Sequence, residues 1–121
     1  MKKAPQNIKK VNLAEAGGNS LELFEYLRVG DLNDHMLNIV EAENRTLEFH
    51  SHADSDEMFY IIEGTMQIEF KDQIVDLNQG DFIIVPKGVS HRPICTTIVK
   101  LLLIEKKGTL NKDNTGGTYR E

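Results

Sequence analysis

Between residues 36 and 105 the chain alternates short apolar or mixed runs with turn residues. The runs cover residues 36–42, 46–52, 57–63, 65–70, 73–77, 81–86, 91–95 and 98–105. Runs this short, recurring every ~8–12 residues, predict an all-β sandwich or barrel. Residues 65–70 alternate most cleanly, with Met66, Ile68 and Phe70 on one face and Thr65, Gln67 and Glu69 on the other. Residues 98–105 are apolar on both faces, as in a strand covered on both sides. Closing or doubling such a sheet removes its exposed edges, so a barrel or jelly roll is expected. Outside this block the pattern is weaker. Ser20 is placed to cap a short helix whose stripe is Leu21, Phe24 and Leu27, and residues 30–34 read as a turn. The organisation expected is an N-terminal extension with a short helix (1–34), a β-barrel (35–107) and an irregular C-terminal tail (108–121).

Length and composition narrow the function classes. At 121 residues there is room for one domain and one core. No apolar run approaches the ~20 residues of a membrane-spanning helix, so no membrane role is expected. Residues 1–10 are polar and basic and do not resemble a secretory leader. The net charge is −5, and the basic residues cluster near the two ends (Lys2, Lys3, Lys9, Lys10; Lys100, Lys106, Lys107, Lys112). A nucleic-acid partner is therefore not expected. A single cysteine, Cys95, excludes an internal disulfide framework and suits a cytoplasmic protein.

Three of the four histidines occupy special positions. His50 and His52 are two apart in a strand-like run, which puts both imidazoles on one face with Cα atoms about 7 Å apart. Glu57 opens the next run, and His91 opens a later one after Pro86-Lys87-Gly88-Val89-Ser90. Three imidazoles and a carboxylate suit Fe(II), Mn, Ni, Cu or Zn better than Mg or Ca. Spacing alone does not separate this reading from ordinary surface or core histidines.

The wider context is more specific. His50-x-His52, four residues, Glu57, six residues and Gly64 resembles the first motif of the cupin superfamily. Gly80, five residues, Pro86-x-Gly88, two residues and His91 resembles the second. The similarity to small single-domain cupins extends over about residues 33–111. It implies a double-stranded β-helix, a jelly-roll barrel, that holds a divalent transition metal (Fe, Mn, Ni, Cu or Zn) through His50, His52, Glu57 and His91. It also implies a homodimer, to which Leu21, Phe24, Leu27 and residues 98–104 offer apolar surface. Two motif positions differ from the family: Asn44 stands for a glycine and Cys95 for an asparagine. Asn tolerates left-handed backbone, so the turn at 44 can survive. Cys95 shares a strand face with His91 and is expected as a small apolar wall residue or a soft neighbour of the metal.

A metal with four protein ligands keeps open positions for a small molecule. Two readings follow: a metal-dependent enzyme of dioxygenase or isomerase type, or a non-catalytic small-molecule-binding or sensor module. A third has the metal chiefly stabilising the barrel. Glu48 and Arg92 are the candidate base and clamp, and His35 is expected at the surface or a dimer contact.

Overall fold

The structure, a computed structural model, describes residues 8–18, 21–109 and 118–120. Among the described residues there are ten strands: β1 (Glu25–Leu32), β2 (His35–Ala42), β3 (Arg45–Thr46), β4 (Glu57–Glu63), β5 (Thr65–Phe70), β6 (Ile74–Asn78), β7 (Phe82–Val85), β8 (His91–Cys95), β9 (Val99–Lys106) and β10 (Thr118–Arg120). One sheet has the order β10-β1-β2-β9-β4-β7 and the other β3-β8-β5-β6. All neighbours are antiparallel except β1 and β10. This is the jelly-roll arrangement that the run spacing predicts.

The core lies between the sheets. Tyr26, Met36, Val40, Phe59, Ile61, Val99, Leu101 and Leu103 of the larger sheet meet Met66, Ile68, Leu77 and Cys95 of the smaller. β9 sits between β2 and β4, which is why both its faces are apolar. Leu101 and Leu103 point into the core, while Leu102 joins Ile39 and Ile62 on the outer face. Leu13, Ala16 and Leu21 of the N-terminal segment cover that outer cluster. Lys100 holds the segment down, donating from Nζ to the carbonyls of Ala14 and Ala16, both at 2.9 Å. Much of the apolar surface expected to meet a partner copy is therefore buried within the chain. Among the described residues no helix is long and apolar enough to cross a membrane.

Three local expectations need correction. Ser20 lies outside the described residues, and the helix expected after it is replaced by strand β1, with Tyr26 buried. A helix this short has little stability of its own, whereas β2 supplies antiparallel partners from Leu27 to Leu32, with one irregularity between Arg28 and Gly30. β1 also runs on to Leu32, so the expected turn shrinks to Asn33-Asp34. The tail is not wholly irregular: β10 pairs in parallel with β1, with Glu25 opposite Thr118, and covers an otherwise open edge.

The two motif turns behave as their residues dictate. Asn44 adopts φ +51°, the left-handed conformation that a glycine would otherwise supply. Gly64, at φ +89°, passes so close to β9 that a Cβ there would stand 2.5 Å from the Ile98 carbonyl oxygen. No other residue fits this crossing unstrained.

Candidate metal centre

His50 and His91 are brought together by the backbone. Each amide donates to the other's carbonyl, at 3.0 and 2.9 Å, in an isolated antiparallel bridge. The expected strand at 46–52 is interrupted: residues 47–49 and 51–52 lie outside any strand, and the pairing is continued by the Leu47 amide, which donates to the Pro93 carbonyl at 3.2 Å, and by this bridge. His52 is held from the other side, where the Gly88 amide donates to its carbonyl at 2.8 Å. The Lys87 amide also donates to Asp56 Oδ1 at 2.9 Å, tying the Pro86–Gly88 turn to the loop before β4. Glu57 opens β4 and faces inward.

The side chains converge. The imidazole rings of His50, His52 and His91 lie 4.6 to 5.8 Å apart, centroid to centroid. One ring nitrogen of each lies within 4.8 Å of those of the other two. Glu57 Oε1 stands 3.0 Å from His91 Nε2 and 3.5 Å from His52 Nε2. His91 and Glu57 are almost wholly buried, at 1% and 3% exposure. All four residues singled out in the sequence thus share one centre.

The donor chemistry suits a metal ion. The Nδ1 atoms of His50 and His91 sit 2.8 and 2.9 Å from the carbonyls of Glu48 and Val89. A carbonyl can only accept, so Nδ1 carries the proton in each ring. Each Nε2 is thereby left to face the centre, the way metal-binding imidazoles are oriented by outer partners. His52 Nε2 is buried with no hydrogen-bond partner, an arrangement that costs free energy unless an ion or proton engages it.

Protonation follows the same geometry. Burial lowers the pKa of His50, and the neighbouring imidazoles His91 and His52 lower it further, against the pull of the Glu48 carbonyl and the Glu57 charge. For His91 burial also acts downward, but the hydrogen bond and charge of Glu57 and the Val89 carbonyl together raise it. Burial alone would raise Glu57; the two imidazoles beside it outweigh that and lower it.

One buried carboxyl escaped the reading of the sequence. Glu105, on β9, has 0% exposure and lies beside Glu57. The register explains this: Glu57 and Glu105 follow one step beyond the Met58–Ile104 pair of β4 and β9. Parity with Leu101 and Leu103 was the available signal, since it points residue 105 inward. Burial, then the charge and hydrogen bond of Glu57, push its pKa up to about 9.

The expected catalytic helpers lie elsewhere. Glu48 is exposed and meets His50 through its backbone carbonyl. Arg92 donates to Glu69 Oε1 at 2.8 Å from Nε and 2.7 Å from Nη2, and its guanidinium sits 4.5 Å from the centre of the Phe49 ring. His35 pairs with Asp34 at 2.9 Å, away from the centre. Cys95 is a wall residue: it lines an apolar cavity of about 50 Å³ with Phe24, Tyr26, Val40, Phe59 and Met66. Burial, opposed by Arg45, raises its thiol pKa. Phe59 links this cavity to the centre, its ring edge-on to His91 at 6.0 Å. At the partly exposed side, Arg45 stacks 3.8 Å over the Phe24 ring.

Comparison with known proteins places this geometry in a family. The uncharacterised protein YdbB of Bacillus subtilis (strain 168) is 32% identical over 85 residues, 69% of this chain and 74% of that protein. The crystal structure of a cupin-2 domain containing protein from Shewanella frigidimarina NCIMB 400 is 32% identical, with TM-score 0.75 over 80% of this chain and 94% of that one. Protein NMB1881 from Neisseria meningitidis is 26% identical, with TM-score 0.71 over 82% of this chain and 100% of that one. Residues 38–105, more than half of the chain and spanning all four converging residues and Glu105, match the cupin domain, and the chain belongs to the cupin family.

Proposed function

We propose that the protein is a metal-dependent enzyme acting on a small, largely apolar molecule, with His50, His52, Glu57 and His91 as the ligands of a divalent transition metal. The observation that carries this reading is the junction at Phe59. Its ring stands T-shaped to His91 at 6.0 Å between centroids, and the same side chain lines the apolar cavity. A bound metal would supply Lewis-acid or oxygen chemistry of isomerase or dioxygenase type. The chain's own residues do the rest. The Glu48 and Val89 carbonyls orient the imidazoles. Phe59, Tyr26, Met66 and Leu103 exclude water from the neighbouring cavity and favour an apolar skeleton over a sugar phosphate. A cytoplasmic homodimer belongs to the same reading, as does the absence of a nucleic-acid or membrane partner.

A binding or sensor module is the second reading, favoured by one observation. Glu48 and Arg92, the side chains expected to serve as base and clamp, are exposed or engaged elsewhere. The test has two stages. Metal content is measured for wild type and for the His50→Ala/His91→Ala double variant after loading with each metal in turn. Stoichiometric metal in wild type and little in the variant is expected; equal, negligible content in both removes the proposal. Oxygen uptake and carbonyl isomerisation of small aromatic and aliphatic compounds are then screened with each loaded form. Tight binding without turnover under every metal favours the module.

A further inference from the structure

Strand β8 leads from the histidine centre to a cation. His91 and Cys95, its two ends, share a face and lie about 13 Å apart along the strand. His50 stands opposite His91, and Arg45 stands opposite Cys95 across β3 and β8. Cross-strand partners project to the same side, so Arg45 turns inward with Cys95, and both line the apolar cavity of about 50 Å³. Among the described residues lining that cavity, Arg45 alone carries a charge. Its guanidinium sits 3.8 Å from the centre of the Phe24 ring. Phe24 has φ +63°, a left-handed backbone rare for a bulky aromatic, and its amide donates to the Glu41 carbonyl at 2.7 Å. A strained conformation of this kind persists where its surroundings over-determine it. Here it sets the ring against Arg45. Both residues are half-buried, so the guanidinium stands between the cavity and solvent.

We infer that the cavity takes a small monocarboxylic acid with an apolar body, its carboxylate held by Arg45 and its hydrocarbon end directed to Phe59 and the histidine centre. The inference rests on the functional reading above and adds to it the substrate class and the residue that selects it. A guanidinium offers two parallel N–H donors that match a carboxylate, and its weak hydration suits an apolar wall. That wall rejects a polar body, whose groups would lose water without gaining partners. The length of β8 between Arg45's partner and His91 keeps the acid group away from the metal ligands. The carbon presented to the centre is therefore several bonds from the carboxylate, beside Phe59, whose ring stands T-shaped to His91. Arg45 holds the remote end of the molecule and so fixes which carbon reaches the centre.

The test compares hexanoate and phenylacetate with their neutral amides, hexanamide and phenylacetamide. Isothermal titration calorimetry is run on the full chain, with and without Zn²⁺. Wild type is expected to bind each acid at least ~10-fold more tightly than its amide. In Arg45→Gln that preference is expected to disappear, while amide affinity and Zn²⁺ content are kept. Equal affinity of wild type for acid and amide, or an undiminished preference in Arg45→Gln, overturns the inference. Proton relaxation of hexanoate on the Cu²⁺-loaded protein reads its orientation. The terminal methyl is expected to relax faster than the methylene beside the carboxylate; the reverse order puts the acid group on the metal and overturns the inference. The wild-type comparisons decide the matter even where the variant folds poorly. A protein that binds no metal but keeps an Arg45-dependent acid preference sinks the proposed function and supports the carboxylate site, whereas metal binding without that preference sinks only this inference.

Discussion

Replacing Glu105 by glutamine is expected to make the metal-free protein more stable at neutral pH. Glu105 keeps its proton in the folded state, with its pKa raised from the ordinary 4.5 to about 9. The unfolded chain loses that proton first. Between these two values the folded state binds more protons than the unfolded one, so stability falls as pH rises. Below 4.5 the cost disappears. At pH 7, some 2.5 units above the ordinary value of 4.5, the loss is about 3 kcal/mol at ~1.4 kcal/mol per unit. Glutamine has the same shape as the neutral acid, and its amide N–H can donate to Glu57 as the acid O–H does, but it does not ionise when the chain unfolds. The assay is urea unfolding in chelator at pH 4.5, 6, 7 and 8, followed by far-UV circular dichroism because the chain has no tryptophan. A gain of ~3 kcal/mol corresponds to a midpoint raised by ~1–3 M urea for a domain of this size. Curves for the two proteins that run parallel from pH 4.5 to 8 would show that Glu105 ionises normally and refute the reasoning.

Two further outcomes test the frame around the centre. Gly64 and Gly80 both have positive φ, +89° and +91°, but a Cβ at 64 meets the Ile98 carbonyl at 2.5 Å while one at 80 meets nothing within 4 Å. Gly80→Ala should cost ~1–2 kcal/mol for backbone conformation alone, and Gly64→Ala ~1–3 kcal/mol more for the clash; equal urea midpoints would contradict the close approach. Cys95→Ala should lose about 1 kcal/mol of packing and leave Zn²⁺ affinity unchanged, whereas a tenfold loss of affinity would put the thiol on the ion.

How much of this was legible in the chain differs residue by residue. Strands β4, β5 and β8 match the predicted runs at both ends, because alternation is a local property that two or three neighbours reveal. Asn44 is also legible, since its short side chain tolerates the left-handed backbone the turn demands. The meeting of His50, His52, Glu57 and His91 was legible from motif spacing, although the strand first credited with carrying the histidine pair is mostly absent. What aligns them is the reciprocal His50–His91 backbone bridge.

Tertiary structure decided the remainder. The stripe Leu21, Phe24 and Leu27 reads as helical, but the open edge of β2 makes a strand of the residues that follow. Residues 118–120 carry no strand signal and become one because β1 leaves backbone groups to pair. Glu105 looks like the polar end of a strand until the β4–β9 register sets it beside Glu57. The sequence by itself determined an all-β chain and picked out the four residues that converge on one centre, because side-chain period and turn chemistry act over a few residues. Only the fold decided that a second carboxyl stands behind that centre and an apolar cavity beside it. Both depend on which distant strands become neighbours, and burial, which follows from that pairing, raises the pKa of a plain glutamate.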